Sequence, residues 1–189
     1  FVEEKRDGKV IQHYFNQDNS RKGKEYNTII LDDAGNLYQT INQTWNSTDN
    51  GGYYTIDLLE KSEITYDSEA SNPRIKNTSY EYDKFGNNIL IHNKGDVSDS
   101  SDDEYEYFNY LNNSNEWIIN KIKNYSLFNS DASIKIRESY YTYDELNYGD
   151  FPIKGSLTSK ENWLNGGDNP ITNCDYDELL ILLDKSCKK

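Results

Sequence analysis

The sequence predicts an all-β fold, an extended antiparallel meander of long hairpins that forms a curved sheet or a partial β-spiral shell. Apolar and polar residues alternate with a period of two, as in half-buried strands. Turn signals rich in Gly, Asn and Asp recur at intervals of roughly ten to fifteen residues. The chain is poor in hydrophobic residues (34%) but holds 17 Tyr. Disordered chains lack aromatics, so this composition indicates sheet faces covered by tyrosine.

The N-terminal half is predicted to consist of hairpins. Asp7-Gly8 is a strong hairpin turn signal between two strand-like segments, 1–6 and 9–15. A polar loop separates this hairpin from a series of alternating segments. The strands predicted there are 24–31, 37–45, 53–66 (one long strand or a strand pair), 74–82 and 88–92, with a turn at 93–96 after the last of them.

The C-terminal half continues the pattern after an acidic loop at 96–104. The strands predicted there are 105–110, 117–128, 134–143, 157–164 and 171–176, with Pro152 and Pro170 in the loops between them. The last residues form a separate tail, 178–189. Its aliphatic start and basic end suit a short helix, because cations favour a helix C-terminus. The predicted domains are therefore 1–177 and a tail at 178–189.

One turn motif is the clearest local signal in the chain. Tyr82 ends a strand, and Asp83 through Asn87 reverses the chain, since Asp bonds its own backbone and Gly accepts a positive φ. The motif reads Tyr-Asp-x-x-Gly-Asn and recurs in degraded form. The residues predicted to build these structural turns are Tyr82, Asp83, Gly86 and Asn87, then Asp32, Gly35 and Asn36, then Tyr143 and Asp144, then Tyr176 and Asp177, with a further copy starting at Asp67.

This motif resembles the signature of the YD-repeat or Rhs (rearrangement hotspot) family. Tyr140-Tyr141-Thr142-Tyr143-Asp144, Lys154-Gly155-Ser156-Leu157-Thr158 and Glu161-Asn162-Trp163-Leu164 are similar to the segment that opens the repeats of Rhs proteins. They also resemble the corresponding region of the B components of insecticidal toxin complexes. The stretch from Lys24 to Trp45, around Asp33 to Tyr38, fits the same place, so the resemblance extends over about residues 8–177.

The resemblance implies a hollow β-strand shell that encloses a toxin or other cargo polypeptide. This chain would be a non-enzymatic structural segment of the wall, secreted or at the cell surface, although no signal is visible. Its partners would be the rest of a larger Rhs/YD-repeat polypeptide or the toxin cargo, and the oligomeric state is left open. The sequence departs from the family pattern in two ways: one motif alone is intact, and Glu178 to Leu180 replace the last Gly-Asn. We therefore expect encapsulation to be a property of a larger parent protein and not of this chain alone.

Composition disfavours several other function classes. The net charge of −13 disfavours nucleic acid and anionic membrane surfaces as partners, because both are polyanions. The longest aliphatic run, 179–183, is too short to span a bilayer, so no membrane insertion is expected. The spacing of Cys174 and Cys187 fits no zinc site, and the pair is either a disulfide or two free thiols.

No catalytic constellation emerges from the residues, and we expect no catalytic residue, cofactor or metal. The acidic loop at 96–104 has oxygen ligands for Ca²⁺, but a solvated loop is favoured because the order does not match an EF-hand. His13 and His92 are expected on strand surfaces. With 33 acidic residues, no glycosidase pair can be chosen.

The aromatic residues allow an alternative function, an extracellular carbohydrate-binding β module. Trp45, Trp117, Trp163 and tyrosine pairs such as Tyr105/Tyr107 would then stack on sugars. The competing role, which we favour, is cross-strand pairing, worth about 0.2–1 kcal/mol per pair. The placement of Trp117, Tyr107 and Tyr143 distinguishes the two, since a shared exposed groove favours binding and buried pairing favours a wall.

Overall fold

The computed structural model describes residues 1–66, 71–176 and 182–188 of the chain, the last range by its backbone. Within these ranges it is all-β, with strands, turns, one short 3₁₀ helix and no α-helix. The prediction of an all-β antiparallel meander is confirmed. No helix in the same ranges is long and apolar enough to cross a membrane.

The strands are hydrogen-bonded in the order in which they occur in the chain. Their bounds are β1 Val2–Arg6, β2 Lys9–Phe15, β3 Glu25–Leu31, β4 Leu37–Asp49, β5 Tyr54–Thr65, β6 Arg74–Tyr82, β7 Asn88–Asp96, β8 Glu104–Asn113, β9 Ile118–Phe128, β10 Lys135–Tyr143, β11 Leu157–Asn162, β12 Ile171–Tyr176 and β13 Leu182–Lys188. The first turn is the predicted one, since Asp7 and Gly8 both have positive φ (50° and 79°), as a two-residue hairpin turn requires.

Contacts divide the chain into two compact units. Unit 1 comprises Phe1–Tyr82 and Ile91–Glu104, and unit 2 comprises the described residues of Asp83–Leu90 and Tyr105–Lys189. Unit 1 contains the antiparallel series β1 to β6, and unit 2 contains the series β8 to β13. The boundary predicted at residue 177 lies outside the described residues and stays a prediction.

The turn predicted at 93–96 is wrong, because β7 continues to Asp96. Gly95 serves a close approach instead of a reversal. A Cβ built on Gly95 would lie 2.1 Å from the Asp102 carboxyl group, and Asp102 Oδ2 accepts a hydrogen bond from the Asp96 N–H at 3.0 Å. A glycine inside a strand commonly marks such an approach.

The helix predicted for the tail is wrong over Leu182–Lys188, which forms strand β13 paired with β12. The preceding residues, 177–181, lie outside the described part of the chain. An aliphatic run of this length fits a helix and a buried strand equally well by periodicity, and here pairing with a neighbouring strand decides. The register places Cys174 opposite Lys185, and Cys174 is a buried free cysteine.

Few apolar side chains are deeply buried, because the composition supplies few aliphatic residues. In the described ranges the buried apolar residues are Leu111, Leu127, Tyr143, Pro152 and Cys174. Aromatic contacts supplement this small core. Tyr107 packs edge-on against Phe128 with ring centroids 5.7 Å apart, and Phe108 lies 5.1 Å from its cross-strand partner Tyr125.

Truncating a buried leucine tests how much this small core contributes. Leu111→Ala, at a side chain that is 4% exposed, is expected to lower the free energy of unfolding by about 2–5 kcal/mol through lost contacts and a cavity. The matched control is Leu164→Ala in the same unit, at 50% exposure, with an effect within about 0.5 kcal/mol. Urea denaturation measures both, and equal losses would contradict the assigned core.

Candidate functional site: the Tyr-Asp turns

The Asp83 turn is closed by both backbone and side-chain hydrogen bonds. The Asp83 N–H donates to the Asn87 carbonyl (2.9 Å), and the Gly86 N–H donates to the Asp83 carbonyl (3.1 Å). Asp83 Oδ1 accepts from the N–H groups of Phe85 (2.8 Å) and Asn87 (3.0 Å). Asn87 Nδ2 donates to Asp83 Oδ2 (3.0 Å), and Gly86 has φ +84°. Each residue type of the motif therefore has a geometric role.

The Asp32 turn repeats this set of bonds. The Asp32 N–H donates to the Asn36 carbonyl (2.9 Å), and the Gly35 N–H donates to the Asp32 carbonyl (3.0 Å). Asp32 Oδ1 accepts from the N–H groups of Ala34 and Asn36, Asn36 Nδ2 donates to Oδ2, and Gly35 also has φ +84°. The two copies predicted from sequence are thus the same turn, even though Leu31 replaces the tyrosine.

The Asp83 copy has two additional contacts within unit 2. Asn112 Nδ2 donates to Asp83 Oδ2 (3.2 Å), and Asn87 Nδ2 donates to the Ile119 carbonyl (2.6 Å). Burial raises the pKa of the Asp83 carboxyl, but the hydrogen bonds from Asn87, Phe85 and Asn112 outweigh it and hold the pKa below its ordinary value. This turn is therefore joined to the β8–β9 hairpin, and Asp83 is ionised at neutral pH.

The tyrosines of the motif fasten strand ends to neighbouring strands. Tyr82 donates its hydroxyl to the Leu58 carbonyl (3.0 Å), and Tyr143 donates to the Ile122 carbonyl (2.9 Å). Burial raises the pKa of both phenols, that of Tyr143 to about 12. Both hydroxyls are consequently neutral donors under ordinary conditions.

The two tyrosine bonds occupy equivalent positions in the strand ladders. Each accepting carbonyl lies two residues before the first residue of its strand that pairs with the tyrosine's strand, and each tyrosine lies three residues after the partner of that residue. A β-bulge also lies next to each accepting residue. Leu58 is beside a bulge in the pairing of β5 with β4, and Ile122 is beside a bulge in the pairing of β9 with β8. β4–β6 and β8–β10 therefore share one local architecture, a structural repeat hidden by sequence divergence.

Asp144 closes a longer loop by another arrangement. Asp144 Oδ2 accepts from the N–H groups of Ile153 (2.7 Å), Lys154 (2.8 Å) and Gly155 (3.0 Å), and Oδ1 accepts from that of Ser156 (2.8 Å). Burial raises the pKa of Asp144, but these four bonds outweigh it and hold the pKa below its ordinary value. The carboxylate replaces the missing Gly-Asn turn.

A cleft of about 380 Å³ lies beside this loop, lined in part by Asp144, Glu145, Cys174 and Tyr176. Tyr176 is half-buried at the end of β12, while Asp177 lies outside the described residues. The Asp144 carboxylate has both oxygens committed to backbone N–H groups. The Asp144 carboxylate is therefore not available as a general base in this cleft.

Asp96 and Asp99 of the acidic loop accept hydrogen bonds from residues of the same loop. Asp96 Oδ1 accepts from the Ser98 N–H and hydroxyl, and Asp99 Oδ1 accepts from the Ser101 N–H. The bonds from these serines lower the pKa of Asp96 and of Asp99. Across the described ranges, no group of three or more His, Cys, Asp or Glu side chains is arranged to hold a metal ion.

Both histidines lie on strands and contact carboxylates. His13 Nδ1 lies 2.6 Å from Glu25 Oε1, and His92 Nε2 lies 3.0 Å from Asp103 Oδ2. Thr28 Oγ1 donates to the same Glu25 oxygen at 2.5 Å. These pairs connect strands to neighbouring segments.

The three aromatics chosen as a test do not share an environment. Tyr143 is 7% exposed with its hydroxyl bonded, Tyr107 stacks with Tyr105, and Trp117 is 75% exposed. Trp45 donates its indole N–H to the Glu25 carbonyl (2.6 Å). Of the three, Tyr143 is buried, Tyr107 is half-buried and Trp117 is exposed.

Sequence reasoning missed the partners of the turns. Asn112 and the four N–H donors at 153–156 are distant from Asp83 and Asp144 in the chain. Gly155, with φ +80°, was the one local signal in the loop that Asp144 closes.

Comparison of the sequence with protein-family models and with curated proteins gives no match. The turns themselves therefore carry the functional argument.

Replacing Asp144 tests its carboxylate as a turn-closing group. Asp144→Asn places an amide N–H₂ against backbone donors, so we expect a loss of unfolding free energy on the order of 2 kcal/mol at pH 7. The folded state lowers the pKa of Asp144, so the ionised carboxylate contributes its full stabilisation of the fold at pH values above its ordinary pKa of about 3.9. This stabilisation is lost as the pH falls through the lower, folded-state pKa. The difference between variant and wild type should therefore shrink on acidification.

The control for this experiment is Asp168→Asn, which makes the same charge change at an exposed turn position in unit 2. Urea denaturation from pH 7 to pH 3 measures both variants. A gap between Asp144→Asn and wild type that stays constant over this range would contradict the role of the ionised carboxylate.

Removing the tyrosine hydroxyls tests the two equivalent strand bonds. Tyr82→Phe and Tyr143→Phe should each lower the unfolding free energy by about 1 kcal/mol, because a carbonyl loses its donor. The loss should be larger at Tyr143, which is more deeply buried. Tyr53→Phe, at 68% exposure, is the control and should have no effect. Thermal and urea unfolding measure the series, and three equal effects would argue against the strand bonds.

Proposed function

We propose that this chain is a non-enzymatic structural segment of an Rhs/YD-repeat shell of the kind that encloses a toxin or other cargo polypeptide. One observation carries the proposal. The Asp32 and Asp83 turns close by the same bonds, and the Tyr82 and Tyr143 hydroxyls fasten strands at equivalent positions. A repeated device that joins strand to strand is what a wall of hairpins needs.

The strand arrangement supports this role. Each strand pairs with its neighbours in the chain, so a sheet of this kind grows by adding one hairpin after another. The turn device depends on hydrogen bonds within the turn more than on a deep core. It can therefore be used many times in a chain that contains few aliphatic residues.

The first strand offers a place where the wall continues. β1 stands at one end of the strand order, and all five of its residues are exposed. The outer backbone groups of such a strand are available to pair with another strand. In the proposed setting the partner is the rest of the parent polypeptide, with the cargo enclosed, at a secreted or cell-surface location.

The carbohydrate-binding alternative draws less support from the aromatics that suggested it. Tyr143 uses its hydroxyl within the sheet, and Tyr107 packs against Tyr105 and Phe128. Trp117 is exposed, and a single ring is a poor sugar platform. A wall function agrees better with this placement.

The size and sequence of the native gene product test the wall proposal. An antibody against this chain should detect a polypeptide much larger than 22.1 kDa in the source cells and their medium. The reading frame should encode further Tyr-Asp-x-x-Gly-Asn motifs followed by a distinct C-terminal segment. Limited proteolysis of the native product should leave that segment protected. A native product of about 22.1 kDa whose reading frame encodes no further Tyr-Asp-x-x-Gly-Asn motif would overturn the proposal.

A further inference from the structure

The two faces of the β10–β11 pair in unit 2 carry opposite charge. Arg137 and Lys160 lie on one face with Ser139, Tyr141 and Asn162, where they line a cleft of about 460 Å³. The other face presents Glu161 beside Tyr140 in a separate cleft. This segregation follows from the period of two along each strand.

The floor of the Arg137 cleft is polar and ordered. Ser139, 2% exposed, donates its hydroxyl to Asn162 Oδ1 at 2.8 Å, which orients the amide with Nδ2 as a remaining donor. Tyr125 and Tyr141 supply aromatic rings to the lining. Tyr125 also donates its hydroxyl to Glu106 Oε2 (3.1 Å), which fixes that ring beside the cleft.

The cleft brings two cations together in a chain of net charge −13. No carboxylate belongs to the described cleft lining, and no ion pair within the described ranges joins Arg137 or Lys160 to an acid. Lys160 Nζ lies 5.6 Å from the Tyr141 ring centroid. On the opposite face, by contrast, Lys135 is paired with Glu138. Arg137 and Lys160 therefore form no ion pair with a described acidic residue, whereas Tyr125 is bonded to Glu106.

We propose that this cleft binds an acidic saccharide, a sugar unit that bears one carboxylate. Arg137 and Lys160 would bind the carboxylate, Asn162 Nδ2 would donate to a sugar hydroxyl, and a tyrosine ring would pack against the apolar face of the sugar. The volume lies within the usual range of roughly 300–1,000 Å³ for small-ligand sites. Because the chain is acidic overall, it repels densely charged polyanions. A ligand with a single negative charge on each sugar ring is therefore favoured over a more highly charged one.

The test is a titration of the whole chain, followed by amide NMR shifts, with D-glucuronate, D-glucose and inorganic phosphate as separate probes. Glucuronate is expected to bind saturably and to shift amides of β10 and β11. Glucose, which lacks the carboxylate, should bind at least tenfold more weakly, and phosphate, which lacks the ring, should do the same. Salt at about 0.5 M should weaken glucuronate binding through screening.

Matched variants locate the site. The double variant Arg137→Gln/Lys160→Gln should weaken glucuronate binding at least tenfold, while Lys5→Gln/Arg6→Gln, the same charge change in β1, should leave it unchanged. Glu161→Gln, on the opposite face, should also leave it unchanged. Unfolding curves for each variant confirm that the fold is retained.

Three results would overturn the proposal: no saturable glucuronate binding to the wild type, phosphate binding as tight as glucuronate, or undiminished binding in the folded double variant. If the double variant does not fold, the single variant Arg137→Gln, at an exposed position, replaces it with the same expected direction. The site does not rest on the wall proposal, so either can fail without the other.

Discussion

The structure depends on aspartate carboxylates that accept backbone N–H groups where the chain reverses. Unsatisfied N–H groups are costly, and a tight turn leaves several of them without strand partners. Asp32 and Asp83 serve neighbouring residues, whereas Asp144 gathers four N–H groups from a distant loop segment. The same chemistry thus closes both short turns and a long loop.

Tyrosine provides the second recurring connection. A strand end that leaves its ladder exposes a carbonyl, and the hydroxyls of Tyr82 and Tyr143 supply the donor that the next strand no longer provides. The ring covers apolar surface while its oxygen satisfies a polar group. This dual use explains how a chain with so few aliphatic residues forms an ordered sheet.

What could be predicted was local. Alternation and Gly-Asn turns identified most strands, and the Asp83 turn followed from residues within one reversal. What could not be predicted depended on contacts distant in the chain. Examples are Asn112 at Asp83, the donors to Asp144, and the strand rather than helix at Leu182–Lys188, which pairing with β12 decides. Gly95 was misread because its neighbour Asp102 lies in a later segment.

The strand order also bears on how the chain folds. Because each described strand pairs with the one that precedes it, the loops to be closed join strands that are consecutive in the chain, and the entropy cost of forming each hairpin is small. Assembly can then proceed from the N-terminus as residues emerge during synthesis, each hairpin serving as the template for the next. Among the described strands, none pairs with a strand from the far end of the chain, which limits the time that an unpaired edge is open to aggregation.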